Sequence, residues 1–282
     1  MKTLEFKKLG RSDEKIPVLG LGTWGIGGFS SKNVAGDDDD IQALTFGLDL
    51  GMQLVDTAEM YASGHSEEVV ARAIENRRES VFLATKVSPE HFSSEGVLKA
   101  CDRSLKRLRT EYVDLYQAHW PNPRIPISET MKAMERLVRE GKVRFIGVSN
   151  FSVEQTQEAR EALSTVDVVS NQVEYSLLDR AIESELLPYA EQEQITIIAY
   201  SPLARGRIAK GSSRESQWST IDKIATKYEK TRNQIALNWL ITKQQVIAIP
   251  KSANLPHLKE NLGGQGWKMQ NEDYDLLNQT FR

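Results

Sequence analysis

Cysteine is almost absent. Cys101 is the only one in 282 residues, so no internal disulfide can form and no cysteine cluster exists to hold zinc. A chain this poor in thiols suits a reducing compartment. Long apolar runs are missing too, since nothing approaches the roughly 20 residues that cross a bilayer. The opening Met1-Lys2-Thr3-Leu4-Glu5-Phe6 lacks the apolar stretch of a secretory signal. Excess charge is also lacking, with a formal net of −3, whereas a surface for nucleic acid or anionic membrane carries a positive excess. No low-complexity tract, internal repeat or linker divides the chain. We expect a cytoplasmic protein, a monomer or weak oligomer, with a small-molecule partner and neither nucleic acid nor membrane.

What is present is an alternation. Hydrophobic residues make up 40% and charged residues 27%, enough for a sizeable core. Leu4–Lys8 and Glu14–Val18 flank a Gly10-Arg11-Ser12-Asp13 turn and predict an N-terminal β-hairpin. Eight short apolar strands follow: Val18–Trp24, the run ending at Asp56, Val81–Val87, Tyr112–His119, Val143–Ser149, Val166–Gln172, Ile195–Ser201 and Val246–Pro250. Helical patterns lie between them, over Asp38–Leu50 (Ile41, Leu44 and Leu48 on one face), Ser66–Asn76 and Gly96–Leu108. Another carries Ile127, Met131, Met134 and Val138 and stops at Gly141. Ser152 with Gln155, and Thr231 with Gln234, have the spacing of capping boxes. Further helices are predicted over Ala181–Gln192, Trp218–Glu229, Thr231–Thr242 and, briefly, Tyr274–Leu277. Strands alternating with helices predict a parallel sheet buried on both faces. Eight repeats without a linker favour closure into an α/β (β/α)8 TIM barrel, one domain over residues 1–282.

Two local patterns mislead. Gly20-Leu21-Gly22-Thr23-Trp24-Gly25 matches the dinucleotide fingerprint G-x-G-x-x-G, which works only if a helix opens at the third glycine. The Ile26-Gly27-Gly28-Phe29 that follows is a poor helix, so these glycines are read as room for the first strand and a turn into a loop. The acidic run Asp37–Asp40 reads as a solvated helix N-terminus, where anions favour the dipole. A metal site is the minor alternative, and no metal is assigned.

Chemistry gathers at three strand ends. Asp56 ends one strand with Tyr61 in the loop beyond, Lys86 lies near the end of the next, and His119 ends the third. Barrel enzymes keep their reacting groups at this rim. Singly, each has a bland reading: the aspartate as a cap, the lysine as a surface charge, the histidine as packing. Together, an acid, a phenol, an amine and an imidazole make a proton-transfer site.

The chain resembles the aldo-keto reductase superfamily along nearly all of its length. The resemblance rests on Asp56-Thr57-Ala58 with Tyr61, Ala84-Thr85-Lys86, His119, Gly147-Val148-Ser149-Asn150-Phe151, Asn171-Gln172-Val173-Glu174-Tyr175, Tyr200-Ser201-Pro202-Leu203 and Ile249-Pro250-Lys251-Ser252, in the family's order. It implies a barrel that binds extended NADPH and passes hydride to an aldehyde or ketone. Tyr61 would donate the proton, Lys86 would make its phenol more acidic, Asp56 would hold Lys86, and His119 would orient the carbonyl. By the same carry-over, Thr23, Trp24 and Asp56 border the cofactor, while Ser149, Asn150 and Gln172 hold its carboxamide. Tyr200 stacks on the ring. Ser201, Pro202, Leu203, Arg205 and Gly206 line the pyrophosphate, Ile249, Pro250, Lys251 and Ser252 lead to the 2′-phosphate, and Glu260 and Asn261 reach the adenine. His257 replaces an arginine common in the family. Histidine is only partly charged near neutrality, so NADPH is the expected cofactor with NADH tolerated.

Trp24, Met60, Tyr61, His119 and Trp120 would shape the substrate pocket, with Phe29 and Trp218 as weaker candidates. Little chain follows Asn261 for a long C-terminal loop, so an open pocket with broad aldehyde acceptance is expected. Asn171 and Tyr175 are read as scaffold, and Cys101 and His65 as structural. Two other functions fit the resemblance: a cofactor-binding regulatory subunit of a channel, and a sugar or polyol dehydrogenase running the reverse reaction.

Overall fold

The computed structural model describes residues 4–212 and 215–281. Its first two strands, β1 (Phe6–Lys8) and β2 (Lys15–Pro17), pair antiparallel with Phe6 opposite Pro17. Leu9 and Ile16 of this hairpin pack on Leu54, Phe82, Leu115 and Ile198, the side chains that fill the barrel, and so plug one end of it. Lys7 fastens the plug: its ammonium donates to the backbone oxygens of Ile241, Lys243 and Val246.

Eight strands follow in a parallel sheet whose spatial order is the chain order. They are β3 (Leu21–Gly22), β4 (Leu54–Asp56), β5 (Phe82–Val87), β6 (Val113–Ala118), β7 (Val143–Ser149), β8 (Val168–Glu174), β9 (Thr196–Tyr200) and β10 (Val246–Ala248). The ring closes through a parallel bridge between Leu19 and Ala248, where Gly20 N donates to Ala248 O and Ala248 N to Val18 O, each at 2.9 Å. One face of every strand meets this interior and the other meets helices, which is why the strands are apolar almost throughout.

The surrounding helices are α1 (Asp37–Asp49), α2 (His65–Ala73), α3 (Ser94–Leu108), α4 (Ile127–Arg139), α5 (Val153–Glu161), α6 (Leu186–Glu193), α7 (Arg207–Lys210), α8 (Ser216–Tyr228), α9 (Arg232–Thr242), α10 (Leu255–Leu262) and α11 (Asn271–Thr280). Both capping boxes form: Ser152 accepts from Gln155 N and Thr231 from Gln234 N, with each glutamine returning to the cap's backbone. No helix among the described residues is long and apolar enough to cross a membrane.

Three expectations need correction. The helix expected over Ala181–Gln192 is a short 3-10 turn, Ala181–Glu183, followed by α6. A continuous helix would need an amide hydrogen from Pro188 to Ser184, and proline has none, so the helix restarts with Pro188 in its first turn. Helix α10 was not expected, although Asn254 accepts from His257 N as its cap and Pro256 sits in its first turn. In α1 the buried face is Ala43, Leu44, Gly47 and Leu48, and Ile41 is only partly covered. The fingerprint glycines behave as expected. No helix opens at Gly25, and a Cβ on Gly22 would lie 2.7 Å from Ile249 O, so the glycine lets the first strand pass close to the last.

Candidate active site

The rim of the barrel brings the four sequence-predicted groups together. Asp56 is the last residue of β4, and Lys86 lies in β5 opposite Gln117 of β6. The Lys86 ammonium is fully buried and donates to Asp56 Oδ1 at 2.5 Å, Thr57 O at 2.9 Å and Tyr61 Oη at 3.2 Å. Tyr61 can bend back over the strand ends because the chain turns sharply behind it, through left-handed Ala62, Ser63 and Gly64 with φ of 49°, 55° and 92°. Alanine and serine are strained there while Gly64 is not. The turn is tied down by Ala62 N donating to Phe29 O at 2.7 Å.

Glu59, which the sequence reading did not single out, holds the near side of this loop. Its backbone N donates to Lys86 O at 3.3 Å, and its buried carboxylate accepts from Ser88 N and meets His91 Nδ1, both at 2.8 Å. His119 follows β6, its backbone N donating to Val87 O at 3.1 Å. Its ring stands edge-on to Tyr61 with centroids 5.6 Å apart, and Trp24 also meets Tyr61 edge-on at 4.9 Å.

Burial and the neighbouring charges together set the proton affinities. Burial pushes the Tyr61 phenol above its ordinary value. The Lys86 ammonium pulls the other way, but the Asp56 carboxylate opposes it and the net shift is upward. Lys86 does make the phenol more acidic than burial alone would leave it, but burial outweighs the ammonium, and Asp56, 2.5 Å from it, offsets part of its field. Burial works against the charge of Lys86 as well, yet Asp56 and then Tyr61 more than compensate and hold its pKa above the usual range. His119 is pushed down to about 3, by burial first and by Lys86 second. It is neutral at any ordinary pH. Its Nδ1 is buried without a partner. An N–H there would waste a buried donor, so the proton belongs on Nε2, a donor able to face a substrate oxygen.

Beside the tetrad, Ser149 Oγ donates to Gln172 O at 2.8 Å, Asn150 Nδ2 to His119 O at 3.1 Å, and Tyr200 Oη to Asn150 Oδ1 at 3.0 Å. Tyr200 is half-buried beside this amide cluster. Next comes the loop Ser201–Gly206, where Ser201, Ala204, Arg205 and Gly206 take positive φ. Such turns can aim successive backbone N–H groups at an anion. Pro202 is buried and Leu203 is partly so. Arg205 is exposed but paired with Glu174 Oε2 at 3.1 Å. Ile249 and Pro250 are buried, whereas Lys251 and His257 are exposed near the start of α10 and Ser252 is half-exposed. An amide cluster, a tyrosine face, a loop able to nest an anion and exposed cations beyond it form a donor set that fits an extended NADPH.

Several expected residues stand differently. The Thr23 hydroxyl accepts from Ser66 Oγ at 3.1 Å. The residue is 1% exposed, and its backbone N donates to Asp56 O at 3.0 Å while its O accepts from Ile26 N at 2.9 Å, so its hydroxyl and its backbone are all engaged within the protein. Asp56 has both oxygens engaged, Oδ1 by Lys86 and Oδ2 by Gln117 at 3.1 Å and Gln172 at 2.7 Å. Asn261 is buried and Glu260 accepts from Asn233 Nδ2 at 3.3 Å. Trp218 is no pocket residue: it is buried in α8 against Phe281 and backs Gly211. Asp37 is not a solvated cap either, because it is buried and paired with His65 Nε2 at 2.9 Å. His65 and Cys101 are buried, as structural readings require. Trp24, Phe29, Met60 and Trp120 remain as exposed large side chains.

The match to known proteins follows this geometry. The model of the "Aldo/keto reductase family" matches residues 18–280. The chain belongs to the aldo/keto reductase family. Among relatives of this family, methylglyoxal reductase YeaE of Escherichia coli (strain K12) is 37% identical, covering 95% of this chain and 92% of its own length. An NADH-specific methylglyoxal reductase of the same organism is 30% identical over 95% and 96%. Among solved structures, the thermostable aldo-keto reductase Tm1743, in complex with the inhibitor epalrestat, superimposes with a TM-score of 0.93 at 42% identity, covering 98% of this chain and 100% of that one. An aldo-keto reductase from Klebsiella pneumoniae in complex with NADPH gives a TM-score of 0.89 at 37% identity over 99% and 95%.

Proposed function

We propose that this chain reduces aldehydes and ketones to alcohols with NADPH, tolerating NADH, and that Asp56, Tyr61, Lys86 and His119 carry the proton chemistry. The observation that carries the reading is the 3.2 Å contact of Lys86 Nζ with Tyr61 Oη over a buried Asp56, in a chain of this family. Bound NADPH supplies the hydride that reaches the carbonyl carbon. Neutral His119 donates from Nε2 to the carbonyl oxygen and orients it. Tyr61 gives its proton to that oxygen, and Lys86 stabilises the phenolate left behind. Burial holds the proton on Tyr61 at neutral pH, which suits its part as the proton donor.

Trp24, Met60 and Trp120 form an apolar, aromatic mouth, 51%, 40% and 46% exposed, that suits small reactive aldehydes; the activity named for the YeaE relative makes α-oxoaldehydes the first to try. We place the protein in the cytoplasm as a single-domain monomer or weak oligomer acting on small carbonyl compounds without nucleic acid.

The test is a panel of aromatic aldehydes, α-oxoaldehydes and ketones followed by NADPH oxidation, with NADH in parallel. Many turnovers are expected on several aldehydes. Tight NADPH binding without turnover on any of them would replace the reductase by a cofactor-binding regulatory protein. Tyr61→Phe should bind NADPH as the parent does and lose about 100-fold or more in turnover; near-parental turnover would remove Tyr61 from its role.

A further inference from the structure

One fully buried polar side chain inside the barrel has no role in the reading above. Gln117 lies in β6, opposite Lys86 of β5 on one side and Gly147 of β7 on the other. It uses both ends of its amide. Nε2 donates to Asp56 Oδ2 at 3.1 Å, and Oε1 accepts from Gln172 Nε2 at 3.4 Å. Gln172 Nε2 in turn donates to Asp56 Oδ2 at 2.7 Å.

The amides are oriented by chemistry. Turning Gln117 over would set its carbonyl against a buried carboxylate. Turning Gln172 over would set its carbonyl against that carboxylate and against Gln117 Oε1 as well. Low local polarity makes such acceptor-on-acceptor contacts costly. Gln172 therefore spends its N–H groups on the barrel interior and keeps only its carbonyl oxygen for anything bound above.

The room for this arrangement is also built in. A Cβ on Gly147 would stand 3.0 Å from Gln117 Cγ and 2.5 Å from Ser170 Oγ. The glycine in the Gly147-Val148-Ser149-Asn150 run is thus the floor on which the Gln117 side chain lies.

We propose that Gln117 is a positioning residue that locks Gln172 carbonyl-outward, so that Gln172 accepts a hydrogen bond from the carboxamide N–H of the nicotinamide. This rests on the functional reading above, because it takes the dinucleotide pocket as given. It joins the two halves of the reaction: the group holding the Lys86–Asp56 pair also sets the acceptor that orients the hydride donor.

Dissociation constants measured on the full chain by fluorescence titration test it, with three dinucleotides: NADP⁺, its 3-acetylpyridine analogue, in which a methyl replaces the carboxamide NH2, and its nicotinic acid analogue, which carries a carboxylate there. The parent should bind NADP⁺ most tightly, the acetyl analogue less well and the acid analogue worst, since a carboxylate would face the Gln172 carbonyl. Gln117→Met, close in shape and without amide groups, should lose about tenfold for NADP⁺ and less than about twofold for the acetyl analogue, the size of one lost hydrogen bond. Gly147→Ala, which displaces Gln117 from the other side, should show the same selective loss.

A merely structural role would weaken all three ligands together. Equal losses for NADP⁺ and the acetyl analogue, or no loss for either, in Gln117→Met would overturn the proposal. So would a parent that binds the acid analogue as tightly as NADP⁺, a measurement that needs no variant to fold. A parent that binds none of the dinucleotides would overturn the functional reading and this proposal with it, a result distinct from the other two.

Discussion

Burial governs the titration of Tyr61 and His119, while at Lys86 the neighbouring Asp56 carboxylate and Tyr61 outweigh it. Because burial and Lys86 push His119 down to about 3, its charge does not change across the working range. The pH profile of kcat for reduction should therefore show no limb near the ordinary histidine value of about 6.5. It should stay level until Tyr61 begins to lose its proton, above the usual phenol range of about 10, since the shift of Tyr61 is upward. A stopped-flow or initial-rate profile with an inflection near 6.5 that vanishes in His119→Asn would contradict this. At Lys86 the expected cost is twofold. Lys86→Met leaves the Asp56 carboxylate buried beside the phenol with only amide partners, so turnover should collapse and stability should fall by about 3–5 kcal/mol, read from denaturant midpoints. That the four groups share one rim was legible, because each ends a strand or follows it closely. The direction of the phenol's shift was not, because it is decided by the depth of burial, which no stretch of sequence displays.

Among the elements, those with a local signature stand where the sequence put them. Strand β7 runs Val143–Ser149 as expected, and α9 opens on the Thr231–Gln234 box. Thr231→Ala should lower stability by about 1 kcal/mol, seen as a lower urea midpoint with unchanged slope, while kcat stays parental because the cap lies away from the site. The loop after Tyr61 should respond in the opposite way. Gly64→Ala places a methyl 2.7 Å from Arg107 Nε at a φ of +92°, so kcat should fall along with stability as the turn that aims Tyr61 relaxes. A variant with parental kcat would show that the turn does not position the phenol. The failures at this scale have local causes. Pro188 restarts a helix that the apolar pattern alone runs through, and the short α10 shares its stretch with residues whose motif points to ligand binding. His257 sits in its first turn. If it meets the 2′-phosphate, His257→Gln should lower the ratio of NADPH to NADH affinity; an unchanged ratio removes the contact.

Over the whole molecule, the neutral imidazole of His119 makes folding sensitive to acid. Its folded value of about 3 lies below the ordinary 6.5, so the folded state binds fewer protons than the unfolded chain across that interval. Its contribution is complete above about pH 6.5 and is lost as pH falls toward 3, by up to about 1.4 kcal/mol per pH unit. Unfolding curves at pH 7 and pH 5 should show a smaller acid loss for His119→Phe than for the parent; equal losses would mean that the imidazole is protonated in the folded state. Barrel closure is a property of this scale as well. It depends on the Leu19–Ala248 bridge between the first and last strands, which the count of eight implied but no single stretch displays.

By itself the sequence determined the alternation of strands and helices, the caps and the order of the reacting residues along the rim. Those follow from local rules: a strand covered on both faces must be apolar throughout, and a cap must be a side chain that reaches its own helix. Only the tertiary structure decided which polar groups meet inside the barrel. Gln117, Gln172 and Lys86 converge on one carboxylate from strands far apart in the chain, and burial fixes their protons and amide orientations. Neither the contact nor the depth is written in any local pattern, because both arise only when the ring of strands closes.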